Sequence, residues 1–237
     1  MTENERPDDS PPVGKVDFGS FRRLSPISRS FGFDRGQPID RYYIERFLDR
    51  YRNDVRGHVL EIGDDGYTRA FGGARVTRSD VLSLTPSHPT VTIVADLARG
   101  DDLPGDQFDC CILTQTLQFI YPLEAAMATV YRLLRPGGVL LATFPVISQI
   151  CRYDMDRWGD YWRFTSASVQ RLVGDTFGAE QTQVESWGNV LAATCFLNGL
   201  AAEELMPAEL DAHDPDYQVL ITARALKTAA GSSPRAG

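Results

Sequence analysis

Two kinds of apolar pattern alternate along the chain. Strand-like segments, several of them continuously apolar, predict strands over residues 58–62, 74–77, 90–95, 108–113, 139–144, 183–187 and 218–225. Apolar residues at helical spacing predict helices over residues 38–53, 122–134, 165–177 and 190–205, with a short helical turn over 67–71. Because several strands are apolar throughout, the alternation indicates an α/β fold with a mostly parallel sheet covered by helices on both faces.

The predicted sheet occupies only part of the chain. Residues 1–17 are rich in Pro, Asp and Glu and predict a disordered tail, and residues 229–237 predict a flexible C-terminal tail. Residues 18–56 form an N-terminal segment with a predicted amphipathic helix, which we expect to fold over a ligand as a lid. Residues 57–228 hold the alternating strands and helices, so we expect one main domain there.

Composition restricts the classes of partner. The 237-residue chain has a net charge of −8 and no dense lysine and arginine cluster, which disfavours nucleic acid as a partner. No apolar run reaches the ~20 residues that span a bilayer, and the N-terminus lacks the apolar core of a signal peptide. The four cysteines show no C-x-x-C spacing and the three histidines lie far apart. We therefore expect a cytoplasmic protein without membrane contact, and no metal site is indicated.

The turn after the first predicted strand carries the most specific chemical signal. The apolar run of residues 59–62 contains the carboxylate of Glu61, and Gly63 and Gly66 follow it closely. Glycine tolerates positive φ and lets a ligand approach the backbone. A parallel strand delivers its carboxyl end to the crevice where open α/β sheets bind ligands. The pattern therefore predicts a nucleotide-like ligand at this turn.

Five segments, in this order, resemble motifs of the class I S-adenosylmethionine (SAM)-dependent methyltransferases, in particular the type 11-like members. Segments 61–66 and 73–80 are similar to the glycine loop and to the second strand with its ribose-binding acid. Segments 94–97, 103–113 and 133–140 are similar to the adenine-contacting third strand, the entry to the fourth strand and the turn into the fifth. The resemblance covers residues 57–226. It implies a Rossmann-like, seven-stranded, mostly parallel sheet with an antiparallel last strand, SAM as cofactor and S-adenosylhomocysteine (SAH) as product.

The resemblance also implies which residues bind SAM. Asp80, expected at the carboxyl end of the second strand, would accept hydrogen bonds from both ribose hydroxyls, and Asp96 would contact adenine. Arg41 is expected to pair with the carboxylate of SAM or with the acceptor, although an exposed helix arginine is an equally simple interpretation. The complete predicted cofactor site consists of Arg41, Glu61, Ile62, Gly63, Asp64, Asp80, Val81, Asp96, Leu97, Thr114 and Gln115.

Three departures from the family pattern bear on activity. Asp65 and Tyr67 stand where the usual loop has glycines, although Asp tolerates left-handed backbone better than most residues. Only 19 positions separate Glu61 from Asp80, so the intervening helix must be a turn or two. The family often has a histidine after the fourth strand, where this chain has Leu-Gln-Phe-Ile at residues 117–120.

Aromatic and acidic residues concentrate after the fifth predicted strand, in residues 148–163. Aromatic faces with polar tips suit sugars, polyols or phenols, although the tryptophans there can equally be core residues. Asp154 and His213 are the candidate catalytic bases, and a surface loop histidine is the simpler interpretation of His213. The predicted acceptor contacts are Tyr42, Tyr153, Trp158 and Trp162.

The whole pattern favours a SAM-dependent methyltransferase for a small-molecule acceptor, with an oxygen of a sugar or specialised metabolite as the preferred target. The choice of oxygen depends on the acceptor segment and on Thr-Gln-Thr-Leu at residues 114–117, where an N-methyltransferase motif would have Asn/Asp-Pro-Pro-Tyr. One alternative is a SAM-binding protein that does not transfer methyl. The other is an NAD-dependent oxidoreductase, for which the G-x-G-x-x-G fingerprint is incomplete. The sequence does not indicate an oligomeric state.

Overall fold

The computed structural model describes residues 10–86 and 88–228, which contain seven strands in one sheet. The elements in chain order are α1 (Ile39–Arg50), β1 (Gly57–Ile62), β2 (Val76–Ser83), β3 (Ile93–Val94), β4 (Phe108–Thr114), α2 (Leu123–Leu133), β5 (Leu134–Pro145), α3 (Arg152–Met155), α4 (Ser166–Phe177), β6 (Thr182–Trp187), α5 (Val190–Leu197), α6 (Pro207–Asp211) and β7 (Leu220–Leu226). Short helical turns lie at Gly19–Phe21, Thr68–Gly72, Gly73–Arg75, Leu97–Asp102, Leu117–Phe119, Ala179–Gln181 and Ala202–Glu204. None of the helices in these two ranges has the length and apolar content needed to cross a bilayer.

The seven strands pair in the order β3-β2-β1-β4-β5-β7-β6. The first five strands pair in parallel, and β7 runs antiparallel to both β5 and β6. This arrangement confirms the predicted Rossmann-like fold with an antiparallel last strand. The strand order reverses between β1 and β4, so the carboxyl ends of these two strands border the crevice where such sheets bind ligands.

Two apolar cores, one on each face of the sheet, hold the helices in place. On one face, α2 and α4 bury Met127 and Val173 in a cluster with Leu140 of β5. On the other face, α1 and α5 bury Phe47 and Phe196 in a cluster with further residues of the same strands. Each large apolar side chain removed from water contributes about 1.5–3 kcal/mol. The cores thereby fix the positions of the helices relative to the strand ends.

Among the predicted elements, β2 and α5 differ most from the prediction in their bounds. β2 continues to Ser83, beyond the predicted end at residue 77, because it pairs with β1 along its length and then with β3. α5 ends at Leu197, whereas the prediction continued this helix to residue 205. Gly199 has a φ of +70°, and a Cβ on it would lie 2.3 Å from the carbonyl oxygen of Ser28. The N-terminal segment therefore occupies the space into which the helix would have continued.

The N-terminal segment, residues 18–56, packs against the sheet through α1, and its residues before α1 contact residues near position 200. Pro38 and Ala201 form an isolated β-bridge, and Arg35 forms a salt bridge with Glu204. The division into a lid and a main domain stays a prediction. Residues 10–17 are exposed and form neither helix nor strand, while the rest of the predicted tails, 1–9 and 229–237, lies outside the described residues.

Candidate functional site

A cavity of about 660 Å³, here called the larger cavity, opens at the carboxyl ends of β1, β2 and β4. Its volume lies within the range of small-molecule sites, roughly 300–1,000 Å³. Apolar side chains and a few polar groups form its walls, which is the usual composition of such sites. The apolar part of the wall includes Ile62, Leu82, Leu97, Phe119 and Ile120.

Glu61 organises the turn that borders the larger cavity. Its side chain is 2% exposed and accepts hydrogen bonds from the backbone N–H of Tyr67 at 3.1 Å and of Thr68 at 2.7 Å. Gly63 lines the cavity with a φ of +90°, and open space lies where a side chain would project. Glu61 itself is not part of the cavity wall, and its hydrogen bonds hold the turn that carries Gly63.

The two aspartates of the turn bind neighbouring groups of the chain. Asp64 Oδ1 accepts a hydrogen bond from the N–H of Gly66 at 2.7 Å, which closes a tight Asx turn. Asp65 forms a salt bridge with Arg69, one helical turn later, at 3.2 Å. The negative charge of Asp65, which is unexpected at a glycine position of the family, is therefore balanced locally.

Burial raises the pKa of Glu61 to about 7, although hydrogen bonds from Thr68 and Tyr67 favour its ionised form. The folded protein then binds more protons than the unfolded chain between the two pKa values. Stability should therefore fall as the pH rises from about 4.5 to 7 and stay level above that.

We expect Glu61→Gln to remove this decline in stability. Between about pH 5.5 and 8, the wild type should lose about 2 kcal/mol more free energy of unfolding than the variant. Urea unfolding of both proteins at both pH values measures the difference. Equal losses in the two proteins would show that Glu61 keeps an ordinary pKa when folded.

Asp80 does not lie where the sequence predicted. It sits inside β2, which continues past it to Ser83. Its carboxylate contacts His58 Nε2 at 2.6 Å and Arg78 at 3.0 Å, and it lines a separate cavity of about 100 Å³. The expected position at the end of the second strand is wrong, because pairing with β1 carries the strand beyond Asp80. Ser83 and Thr85 line the larger cavity at this strand end instead.

The third and fourth strands bring their predicted residues to the larger cavity. Asp96 and Leu97 follow β3, Thr114 ends β4, and Gln115 comes next; all four line the cavity. Asp96 Oδ1 also accepts a hydrogen bond from the N–H of residue 98 at 2.8 Å and so caps the following helical turn. Val81, by contrast, is buried within β2 and does not belong to the wall of this cavity, so its predicted cofactor contact stays a prediction.

A smaller cavity of about 230 Å³ adjoins the larger one. The two cavities share Gln115, Phe119 and Asp154 in their walls. The smaller cavity also reaches the N-terminal segment, from which Phe31 and Arg41 line it. A molecule in one cavity would therefore lie beside a molecule in the other.

Arg41 brings a positive charge to the smaller cavity. Its guanidinium donates a hydrogen bond to Tyr67 Oη at 3.0 Å, and Tyr67 belongs to the turn after β1. Burial disfavours the charge of Arg41, but Asp40, Tyr67 and Asp64 outweigh burial and raise its pKa, so the side chain stays protonated. The predicted cation thus lies between the glycine turn and the smaller cavity.

The predicted acceptor contacts separate into two groups. Tyr153 and Trp158 line the larger cavity. Tyr42 and Trp162 line neither cavity, so the structure does not bring them together with the other predicted acceptor contacts. The hydroxyl of Tyr42 donates a hydrogen bond to Asp211 at 2.8 Å. The ring of Trp162 stacks on the ring of Tyr121.

The two candidate bases lie at different sites. Asp154 lines both cavities, and its Oδ2 accepts a hydrogen bond from Cys151 Sγ at 2.8 Å. His213 lines a separate surface cavity beside β6, where its Nε2 lies 2.9 Å from Ser186 Oγ. The expected position of His213 at the ligand site is wrong, because the segment before β7 lies against β6 at the edge of the sheet.

Two polar residues of the smaller cavity were not predicted from the sequence. Asp40 lies in the first turn of α1 and Gln118 in the turn after β4, and both are more than nine-tenths buried. Asp40 shares the buried face of α1 with Ile44 and Phe47. An acid on the apolar stripe of a helix is the signal that would have identified Asp40. Among the described residues, no group of His, Cys, Asp and Glu side chains is arranged to hold a metal ion.

Sequence comparison relates the chain to methyltransferases. Residues 66–142 match the family model described as a methyltransferase domain. The malonyl-[acyl-carrier protein] O-methyltransferase of Serratia marcescens is 29% identical over 149 residues, which are 59% of this chain and 56% of that protein. The matched part thus spans little more than half the length of this curated relative.

Solved structures share the fold at low sequence identity. The N-methyltransferase NodS from Bradyrhizobium japonicum, in complex with SAH, has a TM-score of 0.52 and 13% identity, with 85% of this chain and 94% of that chain covered. A SAM-dependent methyltransferase from Archaeoglobus fulgidus has a TM-score of 0.53 and 12% identity, with 79% and 94% covered. At these identities, the likeness concerns the fold alone.

Proposed function

We propose that the chain, which is similar to SAM-dependent methyltransferases, transfers the methyl group of SAM to a hydroxyl group of a small-molecule acceptor. The pair of adjoining cavities, with its common wall of Gln115, Phe119 and Asp154, is the observation that carries this proposal. A transfer between two molecules needs such an arrangement, since proximity and alignment supply much of the rate acceleration.

The larger cavity suits the nucleoside part of SAM. The bare backbone of Gly63 leaves room where a Cβ would intrude, and Asp96 offers an acceptor for an adenine amino group. Ser83 and Thr85 offer hydroxyls to the ribose in place of the expected acid. When bound, SAM supplies a methyl carbon that the adjacent sulfonium activates toward nucleophiles.

Arg41 is proposed to hold the amino-acid end of SAM. It lies beside the glycine turn and stays charged, and a guanidinium pairs well with a carboxylate. This assignment selects the first of the two roles that the sequence left open for Arg41.

The smaller cavity favours a neutral hydroxyl acceptor. Asp40, Asp154 and Asp160 line it together with Arg41, so carboxylates outnumber the cation. Aromatic rings of the N-terminal segment complete the wall, and such rings stack on the apolar faces of sugars while carboxylates accept hydrogen bonds from hydroxyls. The malonyl group named for the Serratia relative carries a carboxylate, which would meet like charges here. We therefore propose a sugar or a hydroxylated specialised metabolite as acceptor.

The turn after the glycine loop disfavours a dinucleotide. The helical stretch there, Thr68–Gly72, has five residues, whereas a dinucleotide fold places a full helix at this point.

Localisation in a reducing compartment such as the cytoplasm is also proposed, because all four cysteines are unpaired.

Calorimetry with SAM and SAH, followed by transfer of a labelled methyl group to a panel of methyl glycosides, phenols and primary amines, tests the proposal. We expect both nucleosides to bind and label to enter products with a new O-methyl group. Binding of SAH without transfer to any acceptor would favour the non-methylating alternative. Displacement of SAH by NADH would favour the oxidoreductase, and label on the amines would overturn the choice of oxygen.

A further inference from the structure

We propose that Asp40 is the catalytic base that takes the proton of the acceptor hydroxyl, and that Gln118 positions the same acceptor in the smaller cavity. The inference rests on the proposed function and adds two residues to it. It depends on two buried acceptor atoms in one cavity wall.

Asp40 has an oxygen that lacks a hydrogen-bond donor. The residue is 8% exposed and lines the smaller cavity, and its Oδ1 has no hydrogen-bond partner among the described residues. A buried carboxylate oxygen without a donor destabilises the folded protein. Because the side chain of Asp40 lines the cavity, a rotation of its carboxylate would present this oxygen to a bound hydroxyl group, which would supply the missing donor.

The other carboxylate oxygen of Asp40 faces the wall that separates the cavities. Its Oδ2 lies 3.4 Å from Nε2 of Gln115, and Gln115 lines both cavities. The backbone of Gln115 has a φ of +48°, and its N–H donates to Thr143 Oγ1 at 3.1 Å. Non-glycine residues in the left-handed region are uncommon and concentrate at functional sites. Asp40 is thus oriented by a strained residue at the border with the larger cavity.

Gln118 provides a second acceptor in the same wall. Its Nε2 donates to the backbone carbonyl oxygen of Gln115 at 2.9 Å, and because that oxygen can only accept, the orientation of the amide is determined. Gln118 is 5% exposed, and its Oε1 then has no hydrogen-bond partner among the described residues. Two unpartnered acceptors on residues that line one small cavity suit a ligand with at least two donors, such as neighbouring hydroxyls of a sugar.

The other two acids of the cavity accept shorter side-chain or backbone hydrogen bonds than the 3.4 Å contact between Asp40 and Gln115. Asp154 Oδ2 accepts from Cys151 Sγ, and Asp160 Oδ2 accepts from the Cys151 N–H at 3.1 Å and from Arg163 at 2.9 Å. Burial raises the pKa of Asp40, although Arg41 and backbone amides oppose this effect. A raised pKa strengthens the affinity of the carboxylate for a proton, as a base requires.

The proposed step is balanced within the two substrates and Asp40. The proton moves from the acceptor hydroxyl to the carboxylate of Asp40 while the hydroxyl oxygen forms a bond to the methyl carbon. The bond between that carbon and sulfur breaks, and its electron pair stays on sulfur, which leaves SAH. Asp40 returns its proton to solvent after the methyl ether has left.

Asp40→Asn tests the base. On whichever methyl glycoside of the panel the wild type methylates, we expect kcat to fall at least about a hundredfold, the range for loss of a general base. The dissociation constant for SAH should stay within about threefold, and the unfolding temperature should equal or exceed that of the wild type, because a buried charge is removed. Asp49→Asn, an exposed acid on the same helix that pairs with Arg52, is the matched control and should keep the wild-type rate.

Gln118→Leu tests the positioning residue. We expect KM for the glycoside to rise about tenfold with a smaller change in kcat, because one hydrogen bond to the bound acceptor is lost. The affinity of the glycosides for the SAH complex of this variant, measured by saturation-transfer NMR, should fall to the same extent as KM rises.

The outcomes separate this inference from the proposed function. If SAH does not bind, the proposed function itself fails. If SAH binds but no glycoside is bound or methylated, the acceptor assignment to the smaller cavity is overturned. If Asp40→Asn kept the wild-type kcat, or if only Asp154→Asn lowered kcat, Asp40 would not be the base, although the proposal of methyl transfer would remain valid.

Discussion

Gly63→Val should abolish SAH binding while the protein still folds. Gly63 has a φ of +90°, lines the larger cavity and faces open space. The branched side chain would project into that space, where the ligand is proposed to lie. We expect the dissociation constant for SAH to rise at least about a hundredfold, which corresponds to about 2.8 kcal/mol. Calorimetry measures this change. The strained backbone should also lower stability by about 1–3 kcal/mol.

Gly137→Val separates the two effects. Gly137 has a φ of +82° and also faces open space, but it lies at the amino end of β5 and outside both cavities. A valine there should cost similar stability in urea unfolding and leave SAH affinity as in the wild type. If the Gly63 variant bound SAH as tightly as the Gly137 variant, the larger cavity would not be the cofactor site.

Arg41→Met should weaken SAH binding by about 10- to 100-fold, because a hydrogen bond between charged groups contributes about 1.5–3 kcal/mol. Methionine keeps the length of the apolar stem and removes the guanidinium. Methylthioadenosine has the nucleoside and sulfur of SAH but no amino-acid carboxylate. Its affinity should therefore stay within about threefold of wild type in the same calorimetric measurement.

Arg46→Met is the control for the charge of α1. Arg46 lies on the same helix and forms a salt bridge with Asp211, away from both cavities. This variant should bind SAH and methylthioadenosine as the wild type does. Equal losses of both ligands in Arg41→Met would indicate a disturbed turn through Tyr67, and no loss of either would assign Arg41 to the acceptor instead.

Asp40 and Arg41 illustrate how one helix start serves two proposed substrates. Both residues line the smaller cavity from the first turn of α1, yet Arg41 reaches the glycine turn while Asp40 meets the wall at Gln115. On the proposed assignments, the N-terminal segment would contribute both the base and the carboxylate partner. Its removal would take the proposed base and the proposed carboxylate partner together.

Local patterns of the chain determined the fold class and the glycine turn. Apolar runs and helical spacing are properties of neighbouring residues, so the strands β1, β4, β6 and β7 and the helices α1, α2 and α4 were predicted close to their observed bounds. Gly63, Asp96 and Gln115 were identified because they follow strands, and the carboxyl ends of parallel strands meet at one edge of a sheet.

Only the tertiary structure decided which polar residues meet in the site. Asp80 lies below the crevice because pairing with β1 and β3 extends β2, and strand pairing involves residues distant in sequence. His213 lies at the sheet edge because β7 inserts between β5 and β6. Asp40 is buried because the N-terminal segment packs onto the sheet, and desolvation, which distinguishes it from an ordinary surface acid, arises only when these distant parts come together.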